Sequence, residues 1–314
     1  MDSLSKAPSD KSGRALTVVV LTFNEERNLN ACLQSVAGWA RDIFVIDSGS
    51  TDHTLEIAEQ HQATIYCHAF ETHAKQWLWA LKNLPIQTDW VLALDADQRV
   101  TAELRADIGS FFQKQNESPI AVDGCYVRRR QIFRGKWIKH GGYYPKYLLK
   151  LFRKDAVQID EGDLVDHHFR VSGQVLKLNS DIIEDNQNEA DISVWIAKHN
   201  RYAVLQAQEE IRLRLGEYQP SITKYWGGTP DQRVLWLKGL WRKMPLYSRP
   251  LFYFLYRYFL RFGFLDGKQG FIFHFLQAYW YRLLVDIKID EIRSKRVELD
   301  KQYAEPSTHN RAVS

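Results

Sequence analysis

No stretch of this 314-residue sequence reaches the roughly 18 uninterrupted apolar residues of a membrane-crossing helix. Its longest aromatic runs are broken by Arg257, Arg261 and Arg282. Met1 to Arg14 is polar and lacks the apolar region of an export signal. Cysteine is scarce: Cys32, Cys67 and Cys125 are odd in number and have no metal-like spacing. Neither a zinc site nor a disulfide framework follows from them, and they read as small buried residues in a reducing compartment. No Gly-x-Gly-x-x-Gly follows the first apolar run, which counts against a dinucleotide-binding oxidoreductase, and no P-loop pattern occurs. Internal repeats and low-complexity tracts are missing as well. What these absences leave is a folded cytoplasmic protein, long enough for one large α/β domain with an appendage or for two domains.

Charge and aromatic residues are unevenly spread. Residues 233–296 hold 17 of the 41 Trp, Tyr and Phe, and 13 Lys and Arg against 4 Asp and Glu. That segment carries +9 while the whole chain carries +4, so everything outside it sums to −5. A basic, aromatic C-terminal segment is joined to an acidic body.

Leu16–Phe23 is an apolar, β-branched run that predicts a buried strand, with Asn24 as N-cap of a helix lasting to about Gly38. Further strands are expected at Ile43–Ile46, Thr64–Cys67 and Val91–Leu94, with helices near Leu55–His61 and His73–Leu84. Such alternation predicts a parallel sheet covered on both faces. Beyond Asp97 a helix over Leu104–Phe112 precedes strands at Val122–Ile132 and Tyr147–Phe152, and a helical period returns from Ile192 to about Leu215. Gly216–Gln232 is the best linker candidate. The expected division is a flexible tail over 1–14, a catalytic domain over 15–190, helix and linker over 191–232, basic aromatic helices over 233–296, and a second tail over 297–314.

Three polar clusters stand at predicted strand ends: Thr22-Phe23-Asn24-Glu25, Asp47-Ser48-Gly49-Ser50 and Asp95-Ala96-Asp97. Open parallel sheets bind ligands at that edge. Side chains at i and i+2 of an extended segment share a side, so Asp95 and Asp97 are expected to converge on one hard cation and, through it, on a phosphate. Each cluster alone also reads as a cap or turn.

The same three segments, in this order and spacing, resemble the signatures of family 2 glycosyltransferases of the GT-A fold. Within that family the chain looks like bacterial enzymes that build lipopolysaccharide core and other surface polysaccharides. The resemblance covers roughly residues 15–200 and implies an α/β fold with a GT-A, Rossmann-like, mostly parallel sheet flanked by helices. It implies that Thr22, Asn24, Glu25 and Ser48 line a nucleotide-sugar pocket, that Asp47 faces the base, most often uracil, and that Lys75 lies near the donor phosphates. Asp95 and Asp97 would hold the ribose and a Mg²⁺ or Mn²⁺ on the diphosphate. An inverting transfer needs a general base, and Asp166 is the first candidate, followed by His167 and Asp163. Glu184-Asp185 resembles a further acidic pair of the family. Arg128-Arg129-Arg130 suits either an anionic acceptor or strand charges facing solvent.

In residues 233–296 the spacing fits amphipathic helices whose aromatic bodies lie at lipid headgroups while cations reach anionic lipid, with Gly263–Gly267 as the turn between two of them. An ordinary helical hairpin packed on the body, its arginines paired with acids, fits the composition too. Nucleic acid is not an expected partner, since no recognised motif accompanies the basic residues. The reading is a glycosyltransferase at the inner face of the cytoplasmic membrane, using a UDP-linked donor and a lipid-anchored saccharide acceptor. The rivals are an aspartyl-phosphate-type metal-dependent phosphatase and a non-catalytic membrane-surface scaffold of the same fold.

Overall fold

Alternation along β1 (Leu16–Thr22) builds the core from both sides, because successive side chains of a strand face opposite ways. Val18 and Val20 pack with Leu29, Leu33, Leu92, Leu94, Leu104 and Ile108 on one face. Val19 and Leu21 pack with Phe44, Ile46, Trp77, Ala80 and Phe152 on the other. The computed structural model describes residues 15–117, 121–162, 168–219 and 225–304.

The remaining elements of the body are α1 (Leu29–Gln34), β2 (Asp42–Asp47), α2 (Thr54–Gln60), β3 (Thr64–Cys67), α3 (His73–Asn83), β4 (Trp90–Asp95), β5 (Gln98–Val100), α4 (Ala102–Glu117), β6 (Val122–Phe133), β7 (Lys136–Trp137), β8 (Lys146–Arg153), β9 (Val157–Gln158), β10 (Arg170–Val171) and β11 (Gln174–Glu184). The main sheet runs β3-β2-β1-β4-β8-β6-β11-β5, with β7 paired to β6. Its first four strands are mutually parallel. Beyond β4 the sheet is mixed, since β8 runs antiparallel to β4 and β6, and β5 to β11, while β6 and β11 are parallel. Helices cover both faces, giving the α/β architecture expected of the GT-A fold. β9 and β10 form a separate two-stranded ribbon.

After a short 3₁₀ turn at Gln187–Ala190, α5 (Ile192–Arg214) packs on α9 (Tyr281–Ala304) through Ala203, Ala207, Tyr281, Val285 and Ile289. Between them come α6 (Pro230–Lys243), α7 (Ser248–Leu255) and α8 (Gly267–His274). α7 and α8 are extended by π-helical segments, and the predicted turn is a 3₁₀ segment at Gly263–Asp266. The hairpin is joined to the sheet by Phe133, Ile138, Tyr143, Trp195 and Phe273. Among the described residues no helix is long and apolar enough to cross a membrane.

Two arginines expected at the headgroups turn inward instead. Arg249 is fully buried, donating to Asp286 Oδ1 at 2.8 Å and Glu210 Oε1 at 2.9 Å. Arg257 donates to Gly141 O at 2.7 Å and lies 3.9 Å above the Tyr143 ring. A buried guanidinium needs such partners to offset lost hydration, so here the packed-hairpin alternative describes them. The aromatic face remains open: Phe259, Leu260, Phe262 and Leu265 are 53–71% exposed.

Candidate active site

β1 and β2 end together, because Thr22 stands opposite Asp47 in their parallel ladder, while Leu21 stands opposite Asp95 on β4. The three polar clusters therefore occupy one carboxyl edge of adjacent strands, where open α/β sheets gather ligands.

Asp47 is 1% exposed, and its carboxylate organises the turn after β2. It accepts from Gly49 N and Ser50 N at 2.8 Å each, from Ser50 Oγ at 2.5 Å and from Thr22 Oγ1 at 3.2 Å. Asn24 adopts φ +54°, a left-handed conformation that asparagine tolerates better than most residues. In that pose its N–H donates to Ser50 Oγ and its Oδ1 accepts from Thr51 N, both at 2.8 Å. The first two clusters are thus laced into one wall. Ser48 N donates to Thr22 O at 3.1 Å, and Ser48 Oγ accepts from the buried Gln76 at 3.2 Å.

Asp95 and Asp97 meet through a tight turn between β4 and β5 rather than along one extended strand. Lys150, buried in β8, donates to Asp95 Oδ2 at 3.0 Å. Gln98 holds the turn by accepting from Asp95 N at 3.2 Å and donating to Glu184 Oε2 at 3.0 Å. Glu184 also accepts from Arg129 at 3.1 Å. Burial, then the negative charges of Glu184 and Asp95, push the Asp97 carboxyl well above its ordinary range, with Lys198 opposing them. Burial likewise raises Glu25 to about 7, although Asn28 donates to it at 2.6 Å.

Carboxyls crowded in this way are stabilised by a positive charge at their oxygens. Their hard oxygen donors fit Mg²⁺ or Mn²⁺. Among the described residues no three His, Cys, Asp or Glu side chains form a complete metal cage. An ion at Asp97 would accordingly share its coordination with oxygens of a bound ligand, the usual habit of Mg²⁺ beside phosphates.

The segment after β11 closes over this edge. Asp185 N donates to Asp97 O at 3.0 Å, Gln187 N to Asn28 Oδ1 at 2.8 Å, and Asn188 Nδ2 to Asn24 O at 3.1 Å. Glu184 is consequently a wall residue of the site, while Asp185 pairs with Arg99. Lys75 is exposed and paired with Glu71, whose carboxylate holds its pKa above the ordinary lysine value. Arg128 and Arg130 both pair with Asp181, so the arginine triplet is engaged internally rather than laid out to solvent. Asp163, Asp166 and His167 lie outside the described residues.

Gln98, Lys150, Asn188 and Lys198 were not singled out from the sequence. Lys150 carried a signal, a lone cation within Leu148-Leu149-Lys150-Leu151-Phe152. The other three carried none, being ordinary polar residues of a short strand, a turn and a helix.

Comparison with known proteins agrees with the geometry. Residues 17–171 match the model of "Glycosyl transferase family 2". An uncharacterized glycosyltransferase of Rickettsia bellii is 30% identical over 104 residues, 33% of this chain and 35% of that protein. The chain thus spans about a third of the length of the rickettsial relatives it matches. The lipopolysaccharide core biosynthesis glycosyltransferase LpsC of Rhizobium meliloti is 24% identical over 246 residues, covering 72% of this chain and 83% of LpsC. Among solved structures, S. aureus TarS 1–349 aligns with a TM-score of 0.38 at 14% identity, covering 89% of this chain and 91% of that one. Glucosyl-3-phosphoglycerate synthase of Mycobacterium tuberculosis, solved with Mn²⁺, UDP and glucosyl-3-phosphoglycerate, aligns with a TM-score of 0.30 at 20% identity, covering 38% and 45%. With a family 2 domain filling about half its length, and the three clusters of that domain on one sheet edge, the chain belongs to glycosyl transferase family 2.

Proposed function

We propose that the protein is an inverting glycosyltransferase that moves a sugar from a UDP-linked donor to a lipid-anchored saccharide, in lipopolysaccharide core or surface polysaccharide synthesis. The observation that carries this reading is the meeting of Asn24-Glu25, Asp47-Ser48 and Asp95-Ala96-Asp97 on one edge of a family 2 domain. LpsC, whose name places it in lipopolysaccharide core biosynthesis, supports the choice of acceptor pathway.

In this reading the wall held by Asp47 receives the nucleoside, with Thr22, Asn24 and Ser48 presenting the surrounding backbone. Asp95, steadied by Lys150, faces the ribose and shares with Asp97 the diphosphate end. A Mg²⁺ or Mn²⁺ bound there would stabilise charge on the departing diphosphate. Asp166 takes the proton of the acceptor hydroxyl, with His167 and Asp163 as the other candidates, and the transfer is a single in-line displacement.

The hairpin supplies a docking face for an anionic membrane. Exposed Arg261 and Lys268 flank its open aromatics, while the acids between Met244 and Ile289, Asp266 and Asp286, are 4% and 0% exposed. Apolar insertion with rim cations is the expected mode of such a surface.

The test is a screen of nucleotide sugars for Mg²⁺- or Mn²⁺-dependent hydrolysis and thermal stabilisation, with Asp97→Ala alongside. Stabilisation by a UDP-sugar in the wild type but not the variant is expected. Failure of every nucleotide sugar, or an identical response of Asp97→Ala, would sink the reading.

A further inference from the structure

The site is walled by an excess of negative charge. Glu25, Asp95, Asp97, Glu184 and Glu189 all surround the edge, and a diphosphate approaching it meets repulsion that one divalent ion only partly offsets. Among the described residues the neighbouring cations are differently placed. Lys150, with a side chain 5% exposed, is committed to Asp95 from within the sheet, and Arg129, 13% exposed, to Glu184. Lys198 keeps its side chain 32% exposed. It reaches from α5 to the turn Gln187–Ala190, where Glu189 Oε1 accepts from its Nζ at 2.7 Å. That turn is itself fastened to the first cluster, since Asn188 donates to Asn24 O at 3.1 Å and Glu25 Oε2 at 3.3 Å.

We propose that Lys198 is the chain's own cation for the donor diphosphate, working beside the metal position at Asp97. This inference rests on the donor reading above and adds a residue to it. Glu189 occupies one of the three N–H donors of the ammonium and aims it, the Tyr202 ring centroid lies 5.8 Å from Nζ, and phosphate oxygens would take the remaining donors. An ammonium serves such a ligand as a compact point charge. Burial works against the charge, yet Glu189, Tyr202 and Asp97 together hold Lys198 above the ordinary lysine value, so it stays cationic through neutral pH.

The experiment compares binding of uridine and UDP, with Mn²⁺ present, to wild type, Lys198→Met, Lys198→Arg and Lys75→Met, by calorimetry. For Lys198→Met the expected result is UDP affinity lowered about 10- to 100-fold, the worth of a charge-assisted hydrogen bond, with uridine affinity unchanged. Lys198→Arg should recover most of the loss. Unchanged uridine binding also shows that the variant is folded. A wild type that binds no UDP defeats the donor reading itself. A wild type that binds UDP while Lys198→Met matches it overturns this inference alone. So does an equal loss of uridine and UDP, which marks a structural role, or a UDP-specific loss in Lys75→Met but not in Lys198→Met.

Discussion

Replacing Glu25 with Gln should make the ligand-free protein more stable at pH 8 and leave it little changed at pH 4. Burial lifts this carboxyl from 4.5 to about 7. An acid whose pKa is higher in the fold than in the unfolded chain binds its proton more tightly when folded. Its contribution therefore favours the fold below pH 4.5, is lost as pH rises to about 7, and is constant above that. At 1.36 kcal/mol per unit, the ionised carboxylate costs about 3 kcal/mol in alkaline solution. Glutamine avoids that cost, and its carbonyl can stand where Oε2 accepts from both Asn28 and Asn188, so little hydrogen bonding is forfeited. The net gain is about 3 kcal/mol at pH 8, or several degrees in Tm, shrinking to almost nothing at pH 4. Thermal melts of both proteins from pH 4 to 8.5, without metal or nucleotide, give the difference curve directly. Other titrating groups largely cancel in it. Parallel curves across this range would refute the reasoning, because they would mean that Glu25 ionises as freely in the fold as in water.

Asp97→Asn should likewise raise the ligand-free Tm at pH 7, since burial and the charges of Glu184 and Asp95 disfavour its carboxylate, while Mn²⁺-dependent stabilisation by UDP is lost; a lowered Tm with retained metal response would contradict both parts. Arg249→Met should destabilise by about 3–5 kcal/mol in urea unfolding, because it strands Asp286 as a buried acid and leaves Glu210 with Arg214 as its cation. The variant Phe259→Ser/Leu260→Ser/Leu265→Ser should lose most of its sedimentation with anionic vesicles while keeping its Tm, because these side chains are 53–71% exposed and contribute little to the fold. Retained vesicle binding would remove the hairpin from the docking role.

The parallel half of the fold was legible because its strands are buried on both faces and read as continuous apolar runs. β1 and β4 fall within a residue of their expected bounds for that reason. β11 was not foreseen: Gln174–Glu184 has outward polar residues along most of its length, and pairing with β6 and β5 is what defines it. In the site, residues that end strands were readable from position alone. Lys198 was not, because a lysine seven residues into an amphipathic helix has the same local pattern whether it faces water or a carboxylate cluster. The inward arginines show the same limit. Composition counted Arg249 and Arg257 as surface charge, but acids distant in sequence at Glu210 and Asp286, and a backbone carbonyl at Gly141, decide where they go.

The seam at Gly141 divides the molecule into parts that differ in their freedom to change. Gly141 N donates to Arg261 O at 2.8 Å, its O accepts from Arg257, and its φ is +67°. A Cβ there would lie 2.0 Å from the His274 ring. Beside the side-chain cluster of Phe133, Tyr143 and Phe273, the two bodies thus also join through main chain and a contact that admits no side chain, whereas the outer hairpin face answers only for its apolar character. Substitutions can accumulate across Phe259, Leu260 and Leu265 without turning the hairpin against the sheet, and a single methyl at position 141 cannot. In the proposed docking, the surface that the open face meets can be re-tuned residue by residue, while the angle at which the sheet edge is presented to it is inherited whole.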